Sequence, residues 1–239
     1  MSSVLRLDHY LVQNKEIESR TKAQHMIKDS LVHVDGKIIT KPSFKVDFSS
    51  FVTITEHKSY VSRSAHKLLD FLDTLALDLE NKTALDIGSS TGGFTQVLLE
   101  YDVKSVVCVD VGHDQLHHSL RNDPRVEVQE GCDIRKYETS NPFDIVVSDV
   151  AFISLHYILD DVDRVSAKDI ILLFKPQFEV GREVKRDKNG VVVDKKAIEN
   201  GMIRFEDVCK LKGWQLVKKA PSTLMGKDGN LEYCYYFTK

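Results

Sequence analysis

Residues 83–95 read TALDIGSSTGGFT, an apolar strand that runs into a glycine-rich turn and then into the start of a helix. Glycines in such a turn allow the backbone to approach a ligand closely. The spacing is not G-x-G-x-x-G, and Asp86 precedes the first glycine. Because that carboxylate would repel a pyrophosphate, the turn favours a ligand that carries an amino group, such as S-adenosylmethionine (SAM). A plain tight turn without a ligand is the alternative interpretation.

Acidic residues and turn residues of the predicted sheet supply the candidate contacts to this ligand. Those in and beside the glycine-rich turn are Asp86, Gly88, Ser90, Gly92, Gly93 and Phe94. Asp110 follows the apolar run 105–109, where a carboxylate is placed to accept hydrogen bonds from ribose hydroxyl groups. Asp133 follows the run 126–128 and is predicted to contact an adenine amino group. A loop aspartate in such a place is also a common cap or turn residue.

From residue 62 onwards, apolar strand candidates alternate with helical stretches. Strands are predicted over 83–87, 105–109, 126–128, 144–147, 170–174, 214–217 and 232–237, and a helix over 197–212. The alternation predicts a doubly wound α/β domain, in which helices cover both faces of a parallel sheet. Open sheets of this kind bind their ligands along the carboxyl ends of the strands. We expect four side chains from such ends to line one crevice, namely Asp86, Asp110, Asp149 and Lys175.

Lys175 lies between apolar and aromatic neighbours in LFKPQF, residues 173–178. Desolvation and a nearby cation both favour the neutral form of a lysine, so Lys175 is a candidate proton acceptor. Lys67 opens a predicted helix and is a candidate partner for Lys175, although the sequence does not say that the two meet. A lysine that simply extends along the surface at a helix start is the alternative interpretation of Lys67.

The first 48 residues form a separate unit of two short helices and a hairpin. Ser19 is placed to cap a helix over 20–28, and Asp35 followed by Gly36 is a signal for a type I′ turn. Eight Lys and Arg residues against six Asp and Glu residues make this segment slightly basic. So small an excess is commonly an ordinary solvated face, and charge alone therefore does not identify a nucleic-acid site.

The composition limits the class of protein. With 42% hydrophobic residues among 239, the chain can bury a core, and its 33 basic against 36 acidic residues give no overall attraction to nucleic acid or anionic lipid. Its four cysteines form no C-x-x-C pair, which predicts reduced thiols and no zinc site. Neither a signal peptide nor an apolar run long enough to span a bilayer is evident. We expect a cytoplasmic protein that needs no metal ion.

Two stretches of the chain resemble known families. Residues 6–46, RLDHYLVQNKEIESRTKAQHMIKDSLVHVDGKIITKPSFKV, resemble the S4 RNA-binding domain almost from end to end. Residues 60–239 resemble the FtsJ-like SAM-dependent RNA ribose methyltransferases in the motifs YVSRSAHK, DIGSSTGGFT, SLRNDPRV, SDVAFISL, FKPQFEVG and GNLEY. The combination resembles the TlyA family, also called haemolysin A-like, in its short form. It implies a small α+β S4 domain over 1–48, a connector over 49–61 and a Rossmann-like methyltransferase domain over 62–239.

The resemblance implies a catalytic tetrad of Lys67, Asp149, Lys175 and Glu232. In that mechanism Lys175 takes the proton from a ribose 2′-hydroxyl group, while Asp149 and Glu232 orient the two lysines. RNA contacts are implied for Arg6, Arg20, Lys22, Lys37, Lys41 and Arg63. The implied cofactor is SAM, and the implied substrate is a cytidine of 23S ribosomal RNA in the large subunit, with 16S ribosomal RNA left open. A monomer that requires no membrane is favoured.

Departures from the family pattern bear on local geometry and on RNA contact. Ser30 stands where glycine is usual at a helix exit, so mild strain or a different turn is expected there. Ser64 also replaces a usual glycine, and the backbone around Lys67 is expected to be slightly less free. The segment 181–190, GREVKRDKNG, is longer and more charged than usual, and it either grips phosphates or is a solvated loop. The rival functions are a membrane-damaging haemolysin and a ribosome-assembly factor that only docks. The S4 module disfavours a small-molecule methyltransferase.

Overall fold

A computed structural model describes residues 4–15, 17–28, 30–47, 49–54 and 60–239. Contacts within the chain divide it into two compact units, Met1–Ser59 and Tyr60–Lys239. The connector predicted over 49–61 spans this division, and its residues 55–59 lie outside the described residues.

The N-terminal unit is a small α+β fold. Its elements are β1 (Leu5–Arg6), α1 (Leu7–Asn14), α2 (Arg20–Lys28), β2 (Val32–Val34), β3 (Lys37–Ile38), β4 (Lys45–Val46) and β5 (Val52–Ile54). Strand β2 pairs antiparallel with β3 and with β5, and β1 pairs antiparallel with β4. The two helices pack through the buried side chains of Leu7, Leu11, Ala23 and Ile27. Because β5 pairs with β2, the first part of the predicted connector belongs to the N-terminal sheet.

The helix cap and the turn that the sequence predicts in this unit are present in its backbone geometry. The Oγ atom of Ser19 accepts a hydrogen bond from the backbone N–H of Lys22 at 3.2 Å, which caps α2. Asp35 and Gly36 have φ angles of 51° and 77°, as a type I′ turn between β2 and β3 requires. Ser30, just after α2, has a φ of 63°, in the left-handed region that glycine adopts at lower cost. The strain expected from serine at this position is therefore present.

The C-terminal unit alternates strands and helices. Its elements are α3 (Ser64–Leu72), β6 (Thr83–Ile87), α4 (Gly93–Glu100), β7 (Ser105–Asp110), α5 (His118–Arg121), β8 (Val126–Glu130), β9 (Phe143–Ser148), α6 (Leu159–Val165), β10 (Ser166–Phe174), α7 (Pro176–Glu179), α8 (Lys195–Leu211), β11 (Gln215–Pro221) and β12 (Tyr233–Thr238). Among the described residues, seven strands form one sheet in the order β11, β12, β10, β9, β6, β7, β8. Helices α3 and α4 cover one face of this sheet, and α6 and α8 cover the other. The predicted doubly wound α/β architecture is confirmed.

The predicted parallel sheet has an exception at β12. The strands from β10 to β8 run parallel, but β12 lies between β10 and β11 and runs antiparallel to both. A parallel connection needs a crossover of roughly a dozen residues or more, usually a helix. The segment 222–232 between β11 and β12 contains no helix, so the chain turns back on itself. The start of β12 consequently lies at the edge where the parallel strands end.

The strand order reverses between β6 and β9. From β6 the sheet continues to β7 and β8 on one side, and to β9 and β10 on the other. At such a reversal the connections leave toward opposite faces, which opens a crevice outside the carboxyl ends of the two strands. Gly88 follows β6 and Asp149 follows β9, so both stand at this crevice.

Candidate active site

Two ion pairs, each with a buried lysine, lie at the carboxyl edge of the sheet. The Nζ atom of Lys67, in the first turn of α3, lies 2.5 Å from Oε2 of Glu232, just before β12. The Nζ atom of Lys175, directly after β10, lies 2.6 Å from Oδ1 of Asp149. Lys67 is only 6% exposed, so its interpretation as a surface lysine is wrong. Burial of charges costs free energy even when they are paired, which makes this cluster typical of a functional site.

A side chain that the sequence analysis did not single out completes the environment of Glu232. Gln177 donates a hydrogen bond from Nε2 to Oε1 of Glu232 at 3.1 Å, while Lys67 occupies Oε2. Gly226 also lies close, since a Cβ atom there would be 2.5 Å from Oε1. The signal for Gln177 was its place two residues after Lys175 in the FKPQF motif.

Two cavities adjoin the glycine-rich turn. The larger has a volume of about 560 Å³ and extends along Asp110, Asp133 and Phe152. The smaller has a volume of about 250 Å³ and lies beside Arg63 and Lys175. The residues that line both cavities are Gly88, Ser90, Asp149 and Ala151. Predicted cofactor residues and two tetrad residues thus surround neighbouring spaces.

Asp86, the fourth residue of β6, is fully buried and lines the smaller cavity. Its Oδ2 atom accepts a hydrogen bond from Oγ1 of Thr95 at 2.6 Å. Its Oδ1 atom has no hydrogen-bond partner in the part of the chain that the structure describes. Burial raises the pKa of Asp86 to about 7. An unpartnered carboxylate oxygen is a strong acceptor, so the site fits a ligand that brings a cationic N–H donor.

Glycine is required in the turn because other segments approach it closely. A Cβ atom on Gly88, whose φ is 79°, would lie 3.0 Å from the side chain of Val150. A Cβ atom on Gly93 would lie 2.3 Å from Oγ of Ser62 and 2.4 Å from Oγ of Ser64. The turn therefore packs closely against the chain after β9 at Gly88, and against the start of α3 at Gly93.

The other predicted residues of the turn lie at or near the same crevice. Ser90 donates its backbone N–H to Oδ2 of Asp110 at 2.8 Å, and Gly112 donates to Oδ1 at 2.7 Å. Each of these carboxylate oxygens can still accept a further hydrogen bond. Gly92 precedes α4 with a φ of 96°, and Phe94 lines the smaller cavity with a largely buried ring.

Asp133 caps a short helical turn at the wall of the larger cavity. Its Oδ1 atom accepts a hydrogen bond from the backbone N–H of Arg135 at 3.0 Å, and the Arg135 guanidinium binds both carboxylate oxygens. This guanidinium group lowers the pKa of Asp133. Both side chains line the cavity. The adenine contact stays a prediction, and Arg135 is a second group that a ligand there would meet.

Phe152 is a further side chain of this edge that the sequence analysis missed. It is 94% exposed, it has a φ of 66°, and it lines the larger cavity. Its only ring contact within the described residues is Phe178, with 5.7 Å between the centroids. A large apolar ring that is so exposed contributes little to the core. Its signal was its position three residues after Asp149 in the SDVAFISL motif.

Glu130, the last residue of β8, organises the loop after β7. One oxygen accepts the backbone N–H groups of Gln115 and Leu116, at 2.9 and 3.1 Å, and the other accepts that of Asp114 at 2.9 Å. Arg121 completes the set with an ion pair of 2.5 Å, and its guanidinium lowers the pKa of Glu130 to about 2. Because Gln115 lines the larger cavity, this carboxylate shapes one wall of it.

The predicted RNA-binding arginines of the N-terminal unit share one buried carboxylate. Arg6 and Arg20 each place Nε 3.0 Å from an oxygen of Asp8, which is fully buried. Gln24 donates to the same carboxylate at 2.9 Å. The Arg6 guanidinium holds the pKa of Asp8 well below its usual range. The two arginines are therefore fixed in place while about half of each side chain stays exposed.

The remaining predicted RNA contacts are lysines and one arginine. Lys22 forms an ion pair of 3.1 Å with Glu18, one helical turn away. Lys37 and Lys41 are exposed on and after β3. Arg63 belongs to the C-terminal unit, where it precedes α3 and lines the smaller cavity.

The described residues, 4–15, 17–28, 30–47, 49–54 and 60–239, contain neither a metal-binding cluster nor a membrane-spanning helix. No group of three or more His, Cys, Asp or Glu side chains in them is arranged to hold a metal ion. No helix in them is long and apolar enough to cross a membrane. All four cysteines of the chain are free thiols.

Known proteins resemble this chain over nearly its whole length. The family model of the FtsJ-like methyltransferases matches residues 60–239, and that of the S4 domain matches residues 5–52. The 23S rRNA (cytidine-2′-O)-methyltransferase TlyA of Campylobacter jejuni is 40% identical over 98% of this chain and 100% of its own. The 16S/23S rRNA (cytidine-2′-O)-methyltransferase TlyA of Mycobacterium tuberculosis is 37% identical over 98% of this chain and 89% of its own. A solved structure of a protein called a hemolysin, from Streptococcus thermophilus, has a TM-score of 0.72 and 31% identity over 100% of this chain and 90% of its own.

Glu130→Gln is expected to remove part of the acid sensitivity of folding. The folded-state pKa of about 2 lies below the ordinary value, so the carboxylate stabilises the fold above about pH 4.3, and this stabilisation is lost as the pH falls toward 2. The variant should melt at a lower temperature at pH 7 and show a shallower decline of melting temperature between pH 4.5 and about 2.5. Glu127→Gln, on the same strand but exposed, is the control. An acid decline in Glu130→Gln as steep as that of the wild type would contradict the assignment.

Proposed function

The chain belongs to the family of FtsJ-like methyltransferases, and on that premise we propose that it methylates a ribose 2′-hydroxyl group of ribosomal RNA with SAM as the methyl donor. The observation that carries the proposal is the pair of buried lysine–acid contacts, Lys175 with Asp149 and Lys67 with Glu232, beside the cavities of the glycine-rich turn. A hydroxyl group is a weak nucleophile near neutral pH, so its attack on a methyl group calls for a positioned base.

Each residue of the tetrad has a distinct task in this reaction. Lys175 lines the smaller cavity and in its neutral form accepts the proton of the 2′-hydroxyl group. Asp149, with Oδ1 at 2.6 Å from Nζ, then holds the ammonium group that results. Lys67, fixed by Glu232, adds a positive charge at the same edge, which favours the developing alkoxide. SAM supplies the electrophilic methyl group when it is bound, and alignment of the two reactants supplies further acceleration.

The crevice at the reversal of strand order fits SAM. The unpartnered Oδ1 atom of Asp86 supports a contact with the amino group of the cofactor. Asp110 retains acceptor capacity for ribose hydroxyl groups, and Asp133 with Arg135 offers polar groups to the adenine. The backbone contacts would come from Gly88, Ser90, Gly92, Gly93 and Phe94.

Features of both units support an RNA substrate. A nucleic-acid base stacks on an exposed aromatic ring with about 1 to 3 kcal/mol, and Phe152 offers such a ring at the rim of the larger cavity. Arg6, Arg20, Lys37 and Lys41 present cationic groups on the S4 domain, and backbone phosphates dominate nucleic-acid affinity. We propose a cytidine of 23S ribosomal RNA in the large subunit as the target, acted on by a cytoplasmic monomer.

Lys175→Met is expected to lower methyl transfer at least about 100-fold while SAM binding and RNA binding persist, because methionine keeps the bulk of the side chain and removes the base. The assay follows labelled methyl groups from SAM into ribosomal subunits that lack the modification, and maps alkali-resistant linkages. Lys210→Met, on the exposed face of α8, is the control. Transfer by the Lys175 variant at the wild-type rate would remove this lysine from the reaction. Label on a base atom would overturn the proposed ribose chemistry.

Asp86→Asn is expected to remove a pH dependence of SAM binding. With a pKa of about 7 in the free protein, Asp86 must release a proton before its carboxylate can pair with the amino cation of SAM. Wild-type affinity should therefore rise by up to about tenfold per pH unit between pH 5.5 and 7, with proton release visible by calorimetry in buffers of different ionisation enthalpy. The variant should bind more weakly at pH 7 and without that slope, and equal slopes would exclude the contact.

Lys37→Gln combined with Lys41→Gln is expected to weaken RNA binding and to flatten its salt dependence. Two lost phosphate contacts reduce the slope of log affinity against log salt concentration by about 1.5 to 2. Binding to ribosomal RNA is measured by filter retention at several salt concentrations. Lys196→Gln with Lys210→Gln, both exposed on α8, removes the same charge from the other unit and should leave the slope unchanged. Equal slopes for the two double variants would exclude Lys37 and Lys41 from the RNA surface.

A further inference from the structure

The one-turn helix α7 connects the segments that carry the tetrad. Lys175 precedes it directly, and Pro176 occupies its first position, where the fixed φ of proline favours the start of a helix. Its other residues contact the chain before β12 on one side and the loop after β9 on the other. Those two segments carry Glu232 and Asp149, the acidic partners of the two lysines.

Gln177 forms the contact with Glu232. Its Nε2 atom donates to Oε1 at 3.1 Å, so both carboxylate oxygens of Glu232 are occupied, one by an amide and one by the ammonium group of Lys67. Without Gln177, the carboxylate would be free to rotate about its single remaining partner. Because Lys67 is held by this carboxylate, the position of its charge depends on Gln177.

Glu179 forms the contact with the loop after β9. Its Oε2 atom accepts a hydrogen bond from Oγ of Ser154 at 2.6 Å, and its Oε1 atom accepts one from the backbone N–H of Leu155 at 2.8 Å. Glu179 is only 9% exposed. The loop that it holds carries Phe152, whose ring also meets that of Phe178 in α7. Glu179 therefore holds the loop that carries the exposed Phe152 ring.

Arg186 fixes the position of α7 itself. Its guanidinium donates to the backbone oxygens of Gln177 and Gly181, at 3.1 and 3.0 Å. Arg186 lies in the charged segment 181–190, for which phosphate binding and simple solvation were the two interpretations. Arg186 has a role that neither interpretation includes, because its hydrogen bond to Gln177 connects the segment to α7.

We propose that α7 is a two-armed positioning element of the methyl-transfer site. Gln177 aligns Glu232 and Lys67 for the chemical step, and Glu179 holds the Phe152 loop in the conformation that receives the RNA. The proposal rests on the function assigned to the tetrad above. It predicts that substitution of Gln177 mainly lowers kcat and that substitution of Glu179 mainly raises KM for RNA. A general loosening of the fold would not separate the two parameters in this way.

Gln177→Met tests the first arm, because methionine matches the length of glutamine and removes the donor. The expected result is a fall in kcat of about tenfold, the rate equivalent of one hydrogen bond to a charged group, with KM for ribosomal RNA unchanged. Gln129→Met is the matched control, since Gln129 donates to Glu127 at 2.7 Å on β8, outside the site. A wild-type kcat in Gln177→Met, or equal losses in the two variants, would overturn this arm.

Glu179→Leu tests the second arm. It removes both acceptors of Ser154 and Leu155 and is expected to raise KM for ribosomal RNA about tenfold with a smaller change in kcat. Glu179→Gln keeps one acceptor and should recover much of the affinity. Asp144→Leu is the control for structural loss, because Asp144 also accepts a hydroxyl and a backbone N–H, both from Thr83, at the opposite end of the sheet. If KM rises as much in Asp144→Leu as in Glu179→Leu, the role of Glu179 is overturned. An unchanged KM in Glu179→Leu would overturn it as well.

Hydrogen exchange separates failure of this proposal from failure of the proposed function. In the full chain, the amide of Leu155 should exchange faster in Glu179→Leu than in the wild type, and at the wild-type rate in Gln177→Met. This comparison requires no methyl transfer, so unchanged exchange in Glu179→Leu overturns the positioning role even in an inactive protein. Absence of transfer by the wild type to either subunit would instead overturn the function proposed for the tetrad.

Discussion

Four ionisable groups at one edge of the sheet are largely removed from water. The residues packed around them must therefore offset the free-energy cost of that desolvation. Moving a lysine or a carboxylate out of water costs several kcal/mol unless an opposite charge and hydrogen bonds compensate. Lys67 and Glu232 meet this demand with an ion pair and a third partner, Gln177. Lys175 and Asp149 form a second pair that faces a cavity. These contacts are present without any substrate, so the proposed reaction would find the partners of both lysines already in position.

The topology of the sheet is what makes these pairs possible. Lys67 and Glu232 are separated by 165 positions in the chain, and they meet because β12 enters the sheet in the opposite direction to its neighbours. Its first residue therefore stands where the parallel strands end. The same edge contains the reversal between β6 and β9, so the predicted cofactor crevice and the tetrad are neighbours.

In the N-terminal unit, a buried carboxylate again orders cationic side chains. Asp8 holds Arg6 and Arg20, and Gln24 satisfies the carboxylate further. A free arginine loses rotamer freedom when it binds a phosphate, whereas one that is already held loses less. About half of each of these two side chains is exposed, so the RNA contact proposed for them would require little further ordering. Exposed lysines such as Lys37 and Lys41 add charge without such fixation.

The sequence by itself determined the class of the fold and most of the residues at its edge. Strand periodicity and the turn TALDIGSSTGGFT follow from local physics, because alternation and glycine spacing act within a few residues. It did not determine the direction of β12, the pairing of each lysine with its acid, or the two arms of α7. Gln177 and Glu179 look like ordinary polar residues of a short helix until the chain brings Glu232 and Leu155 beside them. Such contacts join segments far apart in the chain, so only the tertiary structure decides them.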